Sequence, residues 1–292
     1  MFCELYRVMV FIHHYPFSLP LFQKSEMSPE SNYLEVNKAL WNARTKLHIG
    51  SAFYDMDGFL SGASSLKDIE LALLGDLKGK SLLHLQCHFG QDSLSLARMG
   101  AKVTGVDLSD EAIAAAQKLA ADTALDADFI CSDVYDLPRH LDRQFDVVFT
   151  SYGTIGWLPD LTKWAHIVAR YLKPGGQFIF AEFHPAVWMF DNDFAYVQYS
   201  YFNREAIVEM EEGTYTDKSA PIKMKSIGWN HSIDEVLQNL IDVGLNIRRF
   251  AEFDYSPYNC LSRMVEVAPG KWQVQGMEGK LPLVYALQAV KA

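Results

Sequence analysis

Asp107 stands at the end of the apolar run 102–106, and Gly90 closes a turn that follows an earlier apolar run, 81–85. Runs this short, bounded by polar residues, mark buried parallel strands. Residues 91–99, between them, carry helical spacing. Open α/β sheets of this kind bind ligands beyond the C-terminal ends of their strands, where a carboxylate can accept hydrogen bonds from both hydroxyls of a ribose. The pattern therefore places a nucleoside-containing cofactor over Gly90 and Asp107.

The elements that must position these groups follow from the same periodicities. Strands are predicted near residues 81–85, 102–106, 128–131, 145–150 and 177–182, with helices near 91–99, 110–123 and 161–172. Ser109 caps the second of these helices, Asp110 and Glu111 sit at its positive end, and its interior is alanine-rich. Such alternation implies parallel strands joined by right-handed crossovers. Upstream, Tyr33, Val36, Asn37, Leu40, Trp41 and Arg44 recur at helical steps within residues 30–44, with Ser28 or Ser31 as cap, and residues 65–74 form a second helix. After His184, residues 194–200, 206–211 and 222–227 read as short antiparallel strands inserted above the sheet edge. A helix over 232–243 begins at Ser232 with Glu235 at the capping-box position, and strands near 246–252 and 283–290 complete the sheet. The expected division is an extension over 1–26, an N-terminal helical cap over 27–78, and a main domain over 79–292 with a β insertion near 190–228.

Composition sets the limits. A chain of 292 residues, 49% hydrophobic, can bury a full core. Its formal charge of −10 and pI near 5.3 argue against nucleic acid as a partner, because a phosphate backbone calls for clustered Lys and Arg. The cysteines at 3, 87, 131 and 260 show no CxxC and no metal-ligand spacing. Cys87 and Cys131 read as reduced, buried thiols, which fits a cytoplasmic setting. Residues 1–22 are apolar and aromatic but interrupted by Glu4, His13, His14, Pro16 and Pro20. They lack both the clean run of a membrane span and the cleavage site of a secretory signal, so no membrane partner is expected. Met27-Ser28-Pro29-Glu30 reads as a natural start, and the extension is given no functional weight.

Four pieces in order, over roughly two-thirds of the chain, carry a resemblance. They are the turn 82–90; Val106-Asp107-Leu108-Ser109; Phe129-Ile130-Cys131-Ser132-Asp133-Val134; and Phe145-Asp146-Val147-Val148 with Leu172-Lys173-Pro174-Gly175-Gly176. From about residue 80 to 290 the chain resembles the class I S-adenosylmethionine-dependent methyltransferases, and its N-terminal helices resemble that family's cap. The resemblance implies a Rossmann-like, seven-stranded, mostly parallel sheet with helices on both faces, a helical cap and an antiparallel β lid. It also implies S-adenosylmethionine as cofactor and S-adenosylhomocysteine as product. In this scheme Gln86, Cys87, His88 and Gly90 lie against the methionine part, and Asp107 takes the ribose. Asp133 accepts from the adenine amino group, Leu108 and Val134 pack on the ring, and Ser132 and Thr150 complete the cofactor positions. Tyr33 and His48 contact the cofactor from the cap. The 173–176 turn is structural. One departure stands out: His84, Gln86, His88 and Phe89 replace a glycine-rich loop and its preceding acid, and Gly90 alone remains. Glycines there would permit positive φ and close backbone approach.

Methyl transfer from a sulfonium needs alignment, exclusion of water and sometimes removal of a proton, so no strict catalytic signature is expected. His184, directly after the fifth strand, is the candidate general base, since its unperturbed pKa lies near neutrality; the alternative is a histidine that hydrogen-bonds its loop. Tyr152, ending the fourth strand, positions the acceptor or walls the pocket. Trp229, Asn230 and His231 could line the pocket from the lid side, and Arg44 could pair with the cofactor carboxylate or with a surface acid. The aromatic insert could cover a small acceptor, bury itself, or form a homodimer contact. The expected activity is methylation of an oxygen, nitrogen or carbon of a small molecule. A nicotinamide-dependent oxidoreductase would need G-x-G-x-x-G after the first strand, which residues 86–91 lack. A second rival is a non-catalytic binding protein with a degenerate cofactor loop.

Overall fold

Seven strands form one sheet in the order β3-β2-β1-β4-β5-β11-β8. The first five are β1 (Ser81–Leu85), β2 (Lys102–Asp107), β3 (Ala127–Cys131), β4 (Phe145–Ser151) and β5 (Leu172–Phe183), all parallel. β8 (Leu245–Phe253) and β11 (Val284–Lys291) close the edge, and β11 runs antiparallel to both of its neighbours. This computed structural model describes residues 32–292. The extension, Cys3, and the Ser28 and Ser31 caps lie outside the described residues.

The alternation of strand residues sets the two layers. Leu83, Leu85, Val148, Phe178 and Phe180 bury one face against α6 (Leu161–Tyr171) and α7 (Ile233–Asp242). Leu82, Val147, Phe149 and Ile179 bury the other against Leu74 of α3 (Asp68–Leu74) and Leu96 of α4 (Gln91–Arg98). Helix α5 (Asp110–Thr123) adds Leu119 and Ala120 beside Phe89 and Leu94. Its cap is as predicted: Ser109 Oγ accepts from the Ala112 N–H at 3.0 Å. Gly90 is the residue that packing requires, because at φ +78° its Cα faces α5 and β3 so closely that a Cβ would stand 2.8 Å from Ala116 Cβ and the Phe129 ring.

Above the strand ends lie α1 (Tyr33–Ile49), the short α2 (Met56–Leu60), and a hairpin of β6 (Ile207–Glu212) and β7 (Lys223–Gly228). A side-chain clip joins cap to hairpin: Asn37 Nδ2 donates to Ile227 O at 2.7 Å, and Ile227 N donates to Asn37 Oδ1 at 3.1 Å. Arg44 adds an ion pair with Glu211.

Several expectations are corrected. Residues 194–200 form no strand; one bridge, Phe190 to Val197, stands there, and Tyr196 and Val197 face solvent. The hairpin of β9 (Met264–Ala268) and β10 (Lys271–Val274), turned at Gly270, escaped the sequence reading because its alternation is half polar. Ser232 makes no side-chain cap; Glu235 is engaged instead by His231 Nδ1 at 3.1 Å. Residues 173–176 form an irregularity within β5 rather than a turn before it, since Phe145 pairs with Leu172 and Val147 already with Gln177. Cys131 is exposed rather than buried, whereas Cys87 is buried. Among the described residues no helix is long and apolar enough to cross a membrane.

Candidate cofactor and acceptor site

A cavity of about 880 Å³ opens over the C-terminal ends of β1, β2, β4 and β5, walled by the cap and the hairpin. That volume is in the range of sites for small molecules and cofactors, roughly 300–1,000 Å³. Gln86, Cys87, His88, Gly90, Asp107, Leu108, Ser132, Asp133, Val134, Tyr152 and Tyr33 all line it.

The turn after β1 keeps a left-handed backbone without the glycines that usually provide it. Gln86 has φ +56° and His88 φ +50°. Such positions in non-glycine residues store strain that the surrounding structure must hold. Asp107 helps to hold it: its Oδ2 accepts from the His88 N–H at 2.8 Å and its Oδ1 from the Ser109 N–H at 2.9 Å. An ionised carboxylate has about four acceptor sites, so each oxygen retains capacity toward the cavity. Burial pushes the Asp107 carboxyl up to about 6 against those two hydrogen bonds. Asp133 is raised by burial as well, against donation from the backbone N–H groups of Tyr135, Asp136 and Val134. Tyr33 lies close enough to Asp133 for the carboxylate to raise its phenol, after burial as the larger cause.

The other expected residues divide: His184, Thr150 and His48 stand away from the cavity, while Arg44, Trp229, Asn230 and His231 border it. His184 does not border the cavity; its Nε2 meets Glu252 at 2.8 Å and its Nδ1 accepts from the Ala186 N–H at 3.1 Å. It thus ties the loop after β5 to β8. Thr150 is buried in the sheet and donates to Leu85 O at 3.1 Å. His48 lies one layer back, its Nδ1 3.0 Å from Nε2 of the cavity-lining His88. Burial holds His48 down at about 3 and His88 well below neutrality, so the pair stays uncharged. Arg44 is engaged by Glu211 on β6. Trp229, Asn230 and His231 all reach the cavity wall. His231 is also bound to Leu158 O at 2.8 Å, which makes it a structural link.

Glu182, which the sequence placed beside His184 without assigning it a role, braces one wall. It is buried at the end of β5, and its carboxylate accepts from the N–H groups of Gly153, Thr154, Ile155 and Phe183 and from Thr154 Oγ1. Those bonds hold the loop after β4, which forms one side of the cavity. A carboxylate closing an otherwise apolar strand is the same signal that marked Asp107. Sequence reasoning missed Glu70: it accepts the Tyr152 hydroxyl at 2.6 Å, and burial raises it to about 7.

The cavity wall carries unsatisfied polar atoms. Arg44 Nε, His84 Nε2, Gln86 Oε1, His88 Nδ1, Trp229 Nε1, Asn230 Oδ1 and Tyr285 Oη are buried without a partner among the described residues, and all belong to residues that border it. Buried polar groups are nearly always paired, so clustered orphans call for a ligand or ordered water. The two amide oxygens and the carboxylates want donors; the indole and guanidinium nitrogens want acceptors. A polar nucleoside with an amino-acid tail fits that set.

Residues 82–176 match the methyltransferase-domain family. A curated ubiquinone biosynthesis O-methyltransferase of Klebsiella pneumoniae is 26% identical over 253 residues, 85% of this chain and 93% of that protein. The enzyme of the same name from Pseudoalteromonas translucida is 27% identical over 72% of this chain and 83% of its own length. Among solved structures, S-adenosylmethionine-dependent methyltransferases of Mesorhizobium loti and Clostridium acetobutylicum share the fold. Their TM-scores are 0.54 and 0.55 at 20% and 17% identity, covering 80% and 88% of this chain and 100% and 98% of theirs.

Proposed function

We propose that this chain, a class I S-adenosylmethionine-dependent methyltransferase acting on a small molecule, grips its cofactor by Asp107 and Asp133 and methylates a hydroxyl oxygen. One observation supports the grip above others. Two carboxylates at the ends of the adjacent strands β2 and β3 face one cavity, and neither enters an ion pair among the described residues. Asp107 would accept the ribose hydroxyls through the lone pairs its backbone donors leave free. Asp133 would accept the adenine amino group, with Leu108 and Val134 against the ring. Gln86 Oε1 and the left-handed backbone of the turn would meet the amino-acid tail. When bound, S-adenosylmethionine supplies an electrophilic methyl group on a sulfonium. Glu182 fixes the 153–155 loop, and Tyr152, oriented by Glu70, forms the wall against which an acceptor would align. The cap and hairpin exclude water. The oxygen nucleophile is supported by the O-methyltransferase names of the curated relatives.

Calorimetric titration with S-adenosylhomocysteine tests the grip. Asp107→Ala should weaken binding by about 1–3 kcal/mol, the scale for leaving buried polar partners unpaired. Unchanged affinity would refute the ribose assignment, and absence of binding by the wild type would favour a binding protein that has lost the cofactor. Transfer of labelled methyl to a panel of alcohols, phenols and amines tests the nucleophile, with label on nitrogen or carbon alone counting against oxygen.

A further inference from the structure

Asp92, in the first turn of α4, carries a carboxylate that the cofactor scheme leaves unused. It lines the cavity beside Ser65, Ser151 and Tyr152. Its Oδ1 accepts from Ser65 Oγ at 2.6 Å, while Oδ2 has only a long contact with Ser151 Oγ at 3.5 Å. No lysine, arginine or histidine forms an ion pair with it among the described residues. Removing a carboxylate from water is costly unless a cation or several donors compensate, and here the compensation is incomplete.

The surroundings of Asp92 are aromatic. Its charge is felt by the phenols of Tyr54, Tyr152, Tyr215 and Tyr258, which come from the cap, the turn after β4, the hairpin and the segment after β8. Phe53 joins them, stacked on Tyr258 with centroids 5.5 Å apart and edge-on to Tyr215 at 5.5 Å; Tyr152 meets Tyr258 edge-on at 5.2 Å. All five rings line the cavity. Aromatic faces are electron-rich and attract cations. Tyr258 already shows the preference, for Lys67 Nζ lies 5.0 Å from its ring centroid.

We propose that this chamber, Asp92 ringed by Phe53 and the four tyrosines, binds a protonated amine carried by the methyl acceptor. The proposal rests on the methyltransferase reading above and adds the acceptor's chemical class. An ammonium would donate to the under-occupied Oδ2 and set its charge against the rings. A nitrogen held in that way keeps its proton and has no lone pair for methylation. The nucleophile is then another atom of the same molecule, which makes the acceptor an amino alcohol or an aminophenol.

The test uses three phenols of matched shape, titrated into the full-length protein saturated with S-adenosylhomocysteine: 4-(2-aminoethyl)phenol, 4-propylphenol and 3-(4-hydroxyphenyl)propanoate. The cationic phenol should bind at least about tenfold more tightly than the neutral one. Asp92→Asn should abolish that margin and leave S-adenosylhomocysteine affinity nearly unchanged; Tyr258→Leu should reduce the margin independently, should the first variant fail to fold. Equal binding of the three, or preference for the propanoate through Lys67, would overturn the proposal while leaving the cofactor reading intact. So would a variant that weakens S-adenosylhomocysteine but preserves the margin, because Asp92 would then serve the cofactor's own ammonium. Failure of the wild type to bind S-adenosylhomocysteine would instead remove the methyltransferase reading, and this one with it.

Discussion

Asp107 shows how one side chain serves structure and ligand together. Both of its oxygens brace the backbone at the β1 turn and the start of α5, yet burial raises its carboxyl to about 6. The sign of the pH dependence follows. The ionised form is the one that accepts two ribose hydroxyls, so S-adenosylhomocysteine affinity should fall as pH drops through about 6 and stay level above 7. Asp107→Asn should bind weakly with no step near 6, and a step that survives the substitution would assign it to another group. The unliganded protein should respond in the opposite sense. Because the folded value lies above the unfolded value of about 3.9, this group costs stability as pH rises between about 4 and 6. Glu182 braces the loop after β4. Glu182→Gln places amide hydrogens against backbone donors at the 153–155 loop, and we expect a loss of about 2–3 kcal/mol in urea unfolding. An unchanged midpoint would show that the loop stands without it.

At the scale of elements, the question is what keeps α1 over the strand ends. Helix propensity does little, since α1 has no side-chain N-cap bond and sits on its neighbours mainly through buried Asn37, Leu40, Arg44, Thr45 and His48. The Asn37 clip copies a strand pairing with a side-chain amide, which couples cap and hairpin into one cover. Asn37→Ala leaves Ile227 N–H and C=O buried and unpaired, at a cost of about 1–3 kcal/mol. Hydrogen exchange should quicken in α1 and β7 together, while β1 to β5 keep their protection. Faster exchange in one element alone would mean that the two move separately. The sequence showed the Asn37 side of this contact only as a polar residue on a helical stripe. Its partner lies 190 residues away, and no local rule joins them.

Among the described residues, seven of the ten buried unpaired side-chain atoms belong to residues around one cavity, so a ligand that pairs those atoms should stabilise the fold. S-adenosylhomocysteine at a hundredfold its Kd should add about 2.7 kcal/mol. For a domain of this size, with an unfolding entropy of about 0.6 kcal/mol/K, that amounts to a rise in Tm of roughly 4–5 °C. Thermal unfolding with and without it checks this, and no shift would contradict binding to the native state alone.

Local pattern sufficed for the five parallel strands, the Ser109 cap and the placement of Asp107 and Asp133, because strand period, helix capping and a carboxylate at a strand end are read over a few residues. The glycine-poor turn was visible as a departure, but not that Gln86 and His88 would take the left-handed backbone anyway; braces from Asp107 and neighbouring layers decide that. His184 and Thr150 illustrate the complementary failure. Position in the chain put both beside the opening, whereas the direction of a side chain at a strand end depends on which face the packed sheet leaves free. Asp92, Glu70 and the tyrosine chamber belong to segments far apart in the chain. Only the folded arrangement brings them together, since burial and charge are properties of the neighbours that tertiary packing supplies.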